Sequence, residues 1–248
     1  MKAIILAAGY ATRMYPLTLN KPKALLPLGN RLVIDYIVAQ INRLSAVDTL
    51  YVVTNQKFFT QFESWKKAAV SELPIEILND GSDCEDNRLG AIGDIHFTIR
   101  EKEIDDDVCI IAGDNYFTFD LREQYDCFKS TGCDTVCAGR IASREQLKQF
   151  AVAVLDADSR IVSLIEKPQE PPSDIAVYAS YFYRRDTVPM FSQYLNEGHM
   201  PDAPGYFVQW LHKVKDVRAY IMNGESYDIG TIETYDTVNK MLKDKNQT

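Results

Sequence analysis

Two cations follow an apolar strand near the start of the sequence. The predicted strand Ala3–Ala8 runs into the loop Gly9–Arg13, and Lys23 lies in a Lys-Pro-Lys segment a little further on. A buried strand that opens into a loop of small residues directs backbone N–H groups at one point, where a phosphate group can bind. Arg13 and Lys23 add fixed positive charge beside these N–H groups. This order of loop, arginine and lysine predicts a site for a nucleoside triphosphate.

Strands and helices alternate along the chain and form the scaffold that must position this loop. The segments with β-rich composition are 50–54, 75–78, 108–112, 150–155, 161–165 and 177–183. The segments with helical spacing of apolar residues are 33–44, 58–70, 90–99, 186–195, 206–214 and 233–243. This alternation predicts an α/β fold with a Rossmann-like, doubly wound, mostly parallel sheet. Ligands bind beyond the carboxyl ends of such strands, where the Gly9 loop and Gly113-Asp114-Asn115 are expected to emerge.

The composition limits the classes of function. The 248 residues are 46% hydrophobic, and 35 acidic residues against 27 basic ones give a net charge of −8. Nucleic-acid binding depends mainly on neutralising phosphates, so this charge argues against it, whereas a small phosphorylated ligand needs only a few local cations. The apolar start breaks at Gly9, which is too early for a membrane span, and no membrane association is expected.

The cysteine content bears on the cellular location of the protein. The five cysteines include no Cys-x-x-Cys pair, which favours reduced thiols and a cytoplasmic location over a zinc ribbon or a disulfide framework. A homo-oligomer is compatible with this composition, and the sequence leaves the oligomeric state open.

Five segments together resemble the sugar-phosphate nucleotidylyltransferases, the NDP-sugar pyrophosphorylases that include the glucose-1-phosphate thymidylyltransferases. The first consists of Leu6-Ala7-Ala8-Gly9-Tyr10-Ala11-Thr12-Arg13 followed by Lys23-Ala24-Leu25-Leu26-Pro27. The others follow in the order of the family: Leu89-Gly90-Ala91-Ile92-Gly93, Ala112-Gly113-Asp114-Asn115, Glu166-Lys167-Pro168 and Tyr227-Asp228-Ile229-Gly230-Thr231. The resemblance spans nearly the whole chain. It implies a nucleotide-diphospho-sugar transferase fold with a smaller α+β part that binds the acceptor.

The resemblance also implies a reaction. In this family the phosphate oxygen of a sugar 1-phosphate attacks the α-phosphorus of a nucleoside triphosphate, and pyrophosphate leaves. Catalysis then depends mainly on positioning and charge stabilisation. Arg13 and Lys23 are the implied catalytic residues, with Arg13 on the β- and γ-phosphates and Lys23 on the α-phosphate. Asp114 and Asp228 are the implied ligands of Mg²⁺, which prefers carboxylate and phosphate oxygens.

The remaining site residues follow from the same resemblance. The implied nucleotide-binding residues are Leu6, Ala7, Ala8, Gly9, Asn79 and Gly90. The implied acceptor-binding residues are Ala151, Glu166, Lys167 and Tyr178. Lys167 is expected to hold the sugar phosphate, and Glu166 a sugar hydroxyl. The chain is expected to form one nucleotidyltransferase domain over 1–248, with a nucleotide-binding half at 1–118 and an acceptor-binding half at 119–248.

On the nucleotide side the chain departs from the family at two positions. Ala11 replaces a loop glycine, so this residue is expected to adopt a φ that an L-residue tolerates. The base-reading glutamine that normally precedes Leu89-Gly90 is missing. Asn79 or Arg88 is the alternative base reader. The acidic segment 79–88 that holds them is either a lid over the nucleotide or a solvated loop.

On the acceptor side the departures narrow the expected pocket. Ala151 replaces a glycine, and Tyr178-Ala179 replaces Thr-Gly. Because side chains alternate along a strand, Tyr178 is predicted on the face opposite Val177, facing the cleft together with Ala151 and Lys167. The alternative is a sheet tyrosine that faces bulk solvent.

The sequence is compatible with three functions. The first is transfer of a pyrimidine nucleotide, thymidylyl or uridylyl, to a sugar 1-phosphate. The second is cytidylyl transfer to a smaller phosphorylated acceptor such as phosphocholine or a phosphonate, because an added aromatic face suits an alkylammonium group. The third, a nucleotide-sugar sensor without turnover, is disfavoured by the presence of Lys23, Asp114, Lys167 and Asp228 together.

Overall fold

A computed structural model describes residues 1–245 of the chain. The strands are β1 (Lys2–Leu6), β2 (Pro27–Leu28), β3 (Arg31–Leu32), β4 (Thr49–Thr54), β5 (Ile75–Asn79), β6 (Val108–Ala112), β7 (Asn115–Phe117), β8 (Asp134–Arg140), β9 (Ala151–Leu155), β10 (Ile161–Glu166), β11 (Ile175–Tyr183), β12 (Val217–Ile221) and β13 (Ser226–Asp228). The helices are α1 (Val33–Ile41), α2 (Phe59–Lys66), α3 (Ala91–Glu101), α4 (Leu121–Thr131), α5 (Arg144–Leu147), α6 (Met190–Asn196), α7 (Pro204–Leu211) and α8 (Ile232–Lys245).

One nine-stranded sheet forms the centre of the described structure. Its main path runs β10-β9-β11-β6-β1-β4-β5, and β8 and β12 extend it beside β11. The strands β6, β1, β4 and β5 are parallel, whereas β11 pairs antiparallel with β6, β9 and β8. The predicted α/β fold with a mostly parallel central sheet is therefore confirmed, and the antiparallel strands belong to the second half of the chain.

Helices cover both faces of the sheet. Residues of α1, α2 and α4, including Ile37, Phe62 and Phe128, pack on one face. Residues of α3, α6 and α7, including Ile95 and Phe207, pack on the other. Strands buried on both sides need apolar residues at successive positions, which explains the continuous apolar runs of β1, β4 and β6.

A third, smaller core lies beside the sheet, around α8. Met14, Val33, Ile229 and Leu242 are buried there together, and α8 contacts β2 and β13. This core attaches the late segment 226–231 to the first half of the chain.

Most predicted elements are present with shifted ends. The strand that starts the chain ends at Leu6, and the helix predicted over 58–70 ends at Lys66. The helix expected from 186 begins at Met190, after a 3-10 turn over Arg185–Thr187. Among residues 1–245, no helix combines the length and apolar character needed to cross a membrane.

Candidate active site

A cavity of about 470 Å³ opens where two central parallel strands end. β1 and β6 are neighbours, with Leu6 opposite Ala112, so their following loops leave the sheet side by side. Gly113 N donates to Leu6 O at 2.8 Å, and a Cβ at Gly113 would lie only 2.8 Å from the same oxygen. A glycine is therefore required at this close approach.

The cavity collects nearly all the candidate residues. Those that line it are Leu6, Ala7, Ala8, Gly9, Arg13, Lys23, Gly90, Asp114, Ala151, Glu166, Lys167, Tyr178 and Asp228. Asn79 is not among the described lining residues. Its side chain donates to Gln56 Oε1 and accepts from Gly81 N instead. Arg88, the alternative base reader, does line the cavity.

A lysine and two carboxylates meet at the centre of the cavity. Lys23 Nζ lies 2.6 Å from Asp114 Oδ2 and 4.0 Å from Asp228 Oδ1. Lys23 begins a 3-10 turn whose next residues, Ala24 and Leu25, are buried, and this anchors the base of its side chain. Both carboxylates thus lie within reach of one cation.

Asp228 reaches this point through long-range strand pairing. β13 pairs antiparallel with β7, which places Asp228 opposite Asn115, and Ile229 N donates to Asp114 O at 3.0 Å. Ile229 is fully buried in the core around α8. The two aspartates are therefore held together by backbone pairing and not only by their charges.

The pKa of the Asp228 carboxyl depends on its burial and on the charged groups around it. Although half of its side-chain surface is accessible, the carboxyl lies inside the cleft. Burial and the neighbouring Asp114 raise its pKa, Lys23, Arg13 and Lys167 lower it, and the net result is a pKa of about 6. Three cations thus act on this carboxyl at the point where phosphate charges are expected to gather.

The donor set at the centre fits Mg²⁺. Two hard carboxylate oxygens share one region, and their mutual repulsion favours an added cation. Among the described residues, no group of three or more acidic, histidine or cysteine side chains is arranged to hold a metal. Mg²⁺ commonly binds proteins through one or two carboxylates and takes its other ligands from substrate phosphates and water.

The acceptor side of the cavity is formed by β9, β10 and the start of α7. Burial raises the pKa of the Glu166 carboxyl, and Lys167 lowers it. A Cβ at Gly205 would overlap Glu166 Oε2, so this glycine leaves the space that the carboxylate occupies. Lys167 adopts a φ of 47°, an uncommon backbone conformation for a residue with a side chain.

Tyr178 lies against the cavity and not in bulk solvent. It is 9% exposed, and its ring lies 5.3 Å from that of Phe150. The prediction that it faces away from Val177 is confirmed, because the two residues pack in different cores. Tyr178, Ala151 and Lys167 all line the cavity, but Tyr178 and Ala151 extend from opposite faces of the sheet. Ala151 is the strand partner of Val177, and directly paired residues point to the same face.

Ala11 does not adopt the φ that was expected for an L-residue at this loop position. Its φ of 50° and ψ of 43° lie in the left-handed region that favours glycine. Thr18 Oγ1 donates to Ala11 O at 2.7 Å. The loop between Gly9 and Arg13 thus keeps a turn in which the alanine is strained.

Sequence reasoning missed Asp94, which lines the cavity from α3 and is 6% exposed. The sequence does contain a signal for it, namely an acidic residue among the buried positions of this helix, beside Ile95 and Thr98. Burial and the neighbouring Asp80 together raise its pKa from 3.8 to about 8, although Arg88 acts in the opposite direction. Tyr10, with a buried ring and hydroxyl, lines the same end.

Comparison with known proteins finds similarity over most of the chain. A family model described as nucleotidyl transferase matches residues 2–245. The glucose-1-phosphate thymidylyltransferase of Neisseria meningitidis is 32% identical over 203 residues, which cover 78% of this chain and 65% of the relative. A provisionally named mannose-1-phosphate guanyltransferase of Sulfolobus acidocaldarius is 30% identical over 187 residues, 75% of this chain and 49% of the relative.

Among solved structures, a UDP-glucose pyrophosphorylase complexed with UDP-glucose superposes with a TM-score of 0.84 at 19% identity, over 98% of each chain. At this identity the likeness concerns the fold. The chain spans about half to two thirds of the length of the curated relatives it matches first.

Proposed function

The chain belongs to the nucleotidyl transferase family, as its sugar-phosphate nucleotidylyltransferase motifs indicate, and from this premise we propose its reaction. The protein transfers a nucleotidyl group from a nucleoside triphosphate to a sugar 1-phosphate, forms an NDP-sugar and releases pyrophosphate. The observation that carries the proposal is the cluster of Lys23, Asp114 and Asp228 beside the small-residue loop.

In this reaction an oxygen of the acceptor phosphate forms a bond to the α-phosphorus. The bond from that phosphorus to the bridging oxygen breaks, and the electron pair leaves with pyrophosphate. Lys23 stabilises the charge that develops on the α-phosphate, and Arg13 holds the departing phosphates. Lys167, which also lines the cavity, orients the acceptor phosphate. No covalent intermediate with the protein is required.

Asp114 and Asp228 would hold Mg²⁺ at the centre. When bound, the ion supplies charge neutralisation for the crowded phosphates. The two aspartates are suited to this task because backbone pairing between β7 and β13 fixes them without a ligand.

We assign the nucleotide to the pyrimidine class and its binding to residues 1–118, with the acceptor bound mainly by 119–248. The support is the resemblance of the sequence motifs to a family that includes the glucose-1-phosphate thymidylyltransferases and the 32% identity to the Neisseria thymidylyltransferase. Relatives named for guanyl transfer use the same fold family, so the base is the part of the proposal that needs the most direct test.

A second candidate is cytidylyl transfer to a small alkylammonium phosphate such as phosphocholine. The observation that favours it is the aromatic pair Tyr178 and Phe150 at the acceptor side, since aromatic faces attract alkylammonium groups.

The test is a pyrophosphate-release screen with Mg²⁺. UTP, dTTP, CTP, ATP and GTP are each combined with glucose 1-phosphate, other sugar 1-phosphates and phosphocholine. Release that requires both a pyrimidine triphosphate and a sugar 1-phosphate supports the first candidate, and release only with phosphocholine supports the second. Nucleotide-sugar binding without release from any combination would indicate a sensor and contradict both.

A further inference from the structure

The end of the cavity beside α3 contains buried polar atoms that have no partner. Within residues 1–245, the buried side-chain atoms without a hydrogen bond are Tyr10 Oη, Asp94 Oδ1 and Arg218 Nε. Tyr10 and Asp94 both line the cavity, and they are 5% and 6% exposed. Such atoms destabilise a folded protein unless a ligand or a bound water molecule pairs with them. Two of them at one end of a cavity therefore indicate a ligand with matching polar groups.

The sheet order indicates which part of a substrate reaches this end. The central strands β1 and β6 carry the phosphate loop and Asp114, β5 forms one edge, and β10 forms the opposite edge with Glu166. Tyr10 belongs to the phosphate loop itself, and Asp94 lies on the helix that follows β5. The group beside them is therefore the base of the triphosphate, a step that rests on the proposed function.

This end is not suited to a phosphate. Arg88, a cation lining it, pairs with Glu85 at 3.3 Å and with Asp202 at 3.2 Å. The first N–H groups of α3 are also occupied, because Ala91 N donates to Asp202 O and Ile92 N to Pro201 O. A neutral group that donates a hydrogen bond is therefore the ligand that the unpartnered oxygen of Asp94 favours.

We propose that Asp94 accepts a hydrogen bond from the exocyclic amino group of the base and that Tyr10 donates one to a base carbonyl, so that the site prefers cytosine to uracil or thymine. Cytosine carries an amino group at C4, where uracil and thymine carry a carbonyl oxygen. A carbonyl oxygen at that position would face the unpartnered Asp94 oxygen and leave both acceptors unsatisfied. All three pyrimidines share the C2 carbonyl that Tyr10 contacts.

The surroundings of Asp94 hold its free oxygen as an acceptor. Asp80 is fixed by Ser82, whose N–H and hydroxyl donate to it at 2.7 and 2.8 Å. Protonated Asp94 donates a hydrogen bond to Asp80, which leaves Oδ1 as the carbonyl oxygen. Burial raises the pKa of the Tyr10 phenol, so its hydroxyl remains a donor.

The test measures dissociation constants of CTP and UTP by calorimetry with Mg²⁺ and no acceptor. The unchanged protein is expected to bind CTP at least about tenfold more tightly than UTP. In Asp94→Leu the preference falls to within about threefold, because the acceptor for the cytosine amino group is lost, whereas Asp94→Asn, whose amide nitrogen donates to Asp80 and whose Oδ1 is retained, keeps it. Tyr10→Phe weakens both nucleotides by a similar factor and keeps their ratio.

A matched control removes charge without touching the cavity. Asp86 is exposed in the neighbouring 3-10 turn over Glu85–Asn87 and is absent from the described lining, so Asp86→Asn leaves the CTP-to-UTP ratio unchanged. Circular dichroism checks that each variant is folded.

Two results overturn the inference: equal or tighter binding of UTP by the unchanged protein, and an unaltered ratio in Asp94→Leu. UTP-favoured binding together with pyrophosphate release from UTP and a sugar 1-phosphate leaves the proposed function standing and removes only the role of Asp94. A protein that binds no triphosphate removes both.

Discussion

The centre of the cleft and its flanks are built in different ways. At the centre, a 3-10 turn, a loop and the short strand β13 bring Lys23, Asp114 and Asp228 together, and the lysine pairs with both carboxylates. On the flanks, a helix face supplies Asp94 and an antiparallel strand supplies Tyr178. Phosphates are common to all substrates of this reaction class, whereas bases and acceptors differ. Substitutions at the centre should therefore lower turnover with every substrate, whereas substitutions on the flanks should alter selectivity or stability.

The largest expected effect is that of Asp114→Asn. The substitution keeps the shape of the side chain but removes a charge that contacts Lys23 at 2.6 Å and belongs to the expected Mg²⁺ ligands. Turnover should fall by about a thousandfold or more with every substrate pair, measured as pyrophosphate release at saturating Mg²⁺. Asp126→Asn, on an exposed face of α4, is the control and should retain activity. A loss of turnover with only one nucleotide base would contradict this and assign Asp114 to base selection.

Lys23→Ala should lower turnover by about a hundredfold or more, because one preorganised donor to the α-phosphate is lost. The melting temperature should change little, since the side chains of Asp114 and Asp228 that remain are 31% and 54% exposed to solvent. Lys21→Ala, in the same Lys-Pro-Lys segment but outside the described cavity lining, is the matched control. Near-normal turnover of purified Lys23→Ala would remove this residue from the mechanism.

Tyr178→Thr should change acceptor choice more than rate. It removes the ring that packs against Phe150, and Ala179→Gly is added to restore the family pattern. The ratio of kcat/KM for glucose 1-phosphate to that for phosphocholine should rise about tenfold. Ala151→Gly tests the opposite face of the sheet separately, because Ala151 pairs with Val177. An unchanged acceptor profile in both variants, and in their combination, would make Tyr178 a packing residue.

The central residues could be predicted from the sequence because they are close to recognisable strand ends. The Gly9 loop follows β1, and Asp114 follows β6, so the parallel sheet alone brings these segments together. Asp228 needed the family resemblance, since its position depends on the pairing of β13 with β7 far earlier in the chain. The resemblance itself is confirmed by the family match.

Other features were hidden because tertiary contacts override the local pattern. β8 begins with Asp134, a residue typical of loops, yet this carboxylate is fully buried and accepts hydrogen bonds from Thr187 Oγ1 and Arg184 N at 2.7 Å. The left-handed conformation of Ala11 was also unexpected, since nothing in the local sequence requires it. Asp94 is an acidic residue within an apolar helix face, and only the cavity explains why that position is polar.

A pH titration of stability probes the flank at Asp94. The folded-state pKa is raised from 3.8 to about 8, so the native state retains a proton that the unfolded chain releases. This group's contribution to stability is therefore fully present below about pH 4 and is lost as the pH rises towards 8. In Asp94→Asn the amide donates to Asp80 at every pH. The melting temperature of the variant minus that of the unchanged protein should increase between pH 4.5 and 8 and then level off. A difference that stays constant over this range would contradict the raised pKa.

The smallest expected effect is that of Ala11→Gly, in the loop that follows β1. Its left-handed conformation costs an L-residue about 1–2 kcal/mol, whereas glycine adopts it without a steric penalty. Glycine also gains entropy in the unfolded chain, worth about 0.5–1 kcal/mol, so Ala11→Gly should stabilise the fold by roughly 0.5–1 kcal/mol. The expected rise in melting temperature is about 2 °C. Turnover should stay within about twofold, because the bond from Thr18 reaches the backbone carbonyl, which the substitution retains. Ala39→Gly, within α1, is the control of opposite sign and should destabilise the protein by about 1 kcal/mol. If both variants melted at lower temperature by the same amount, the loop would carry no strain for the glycine to relieve.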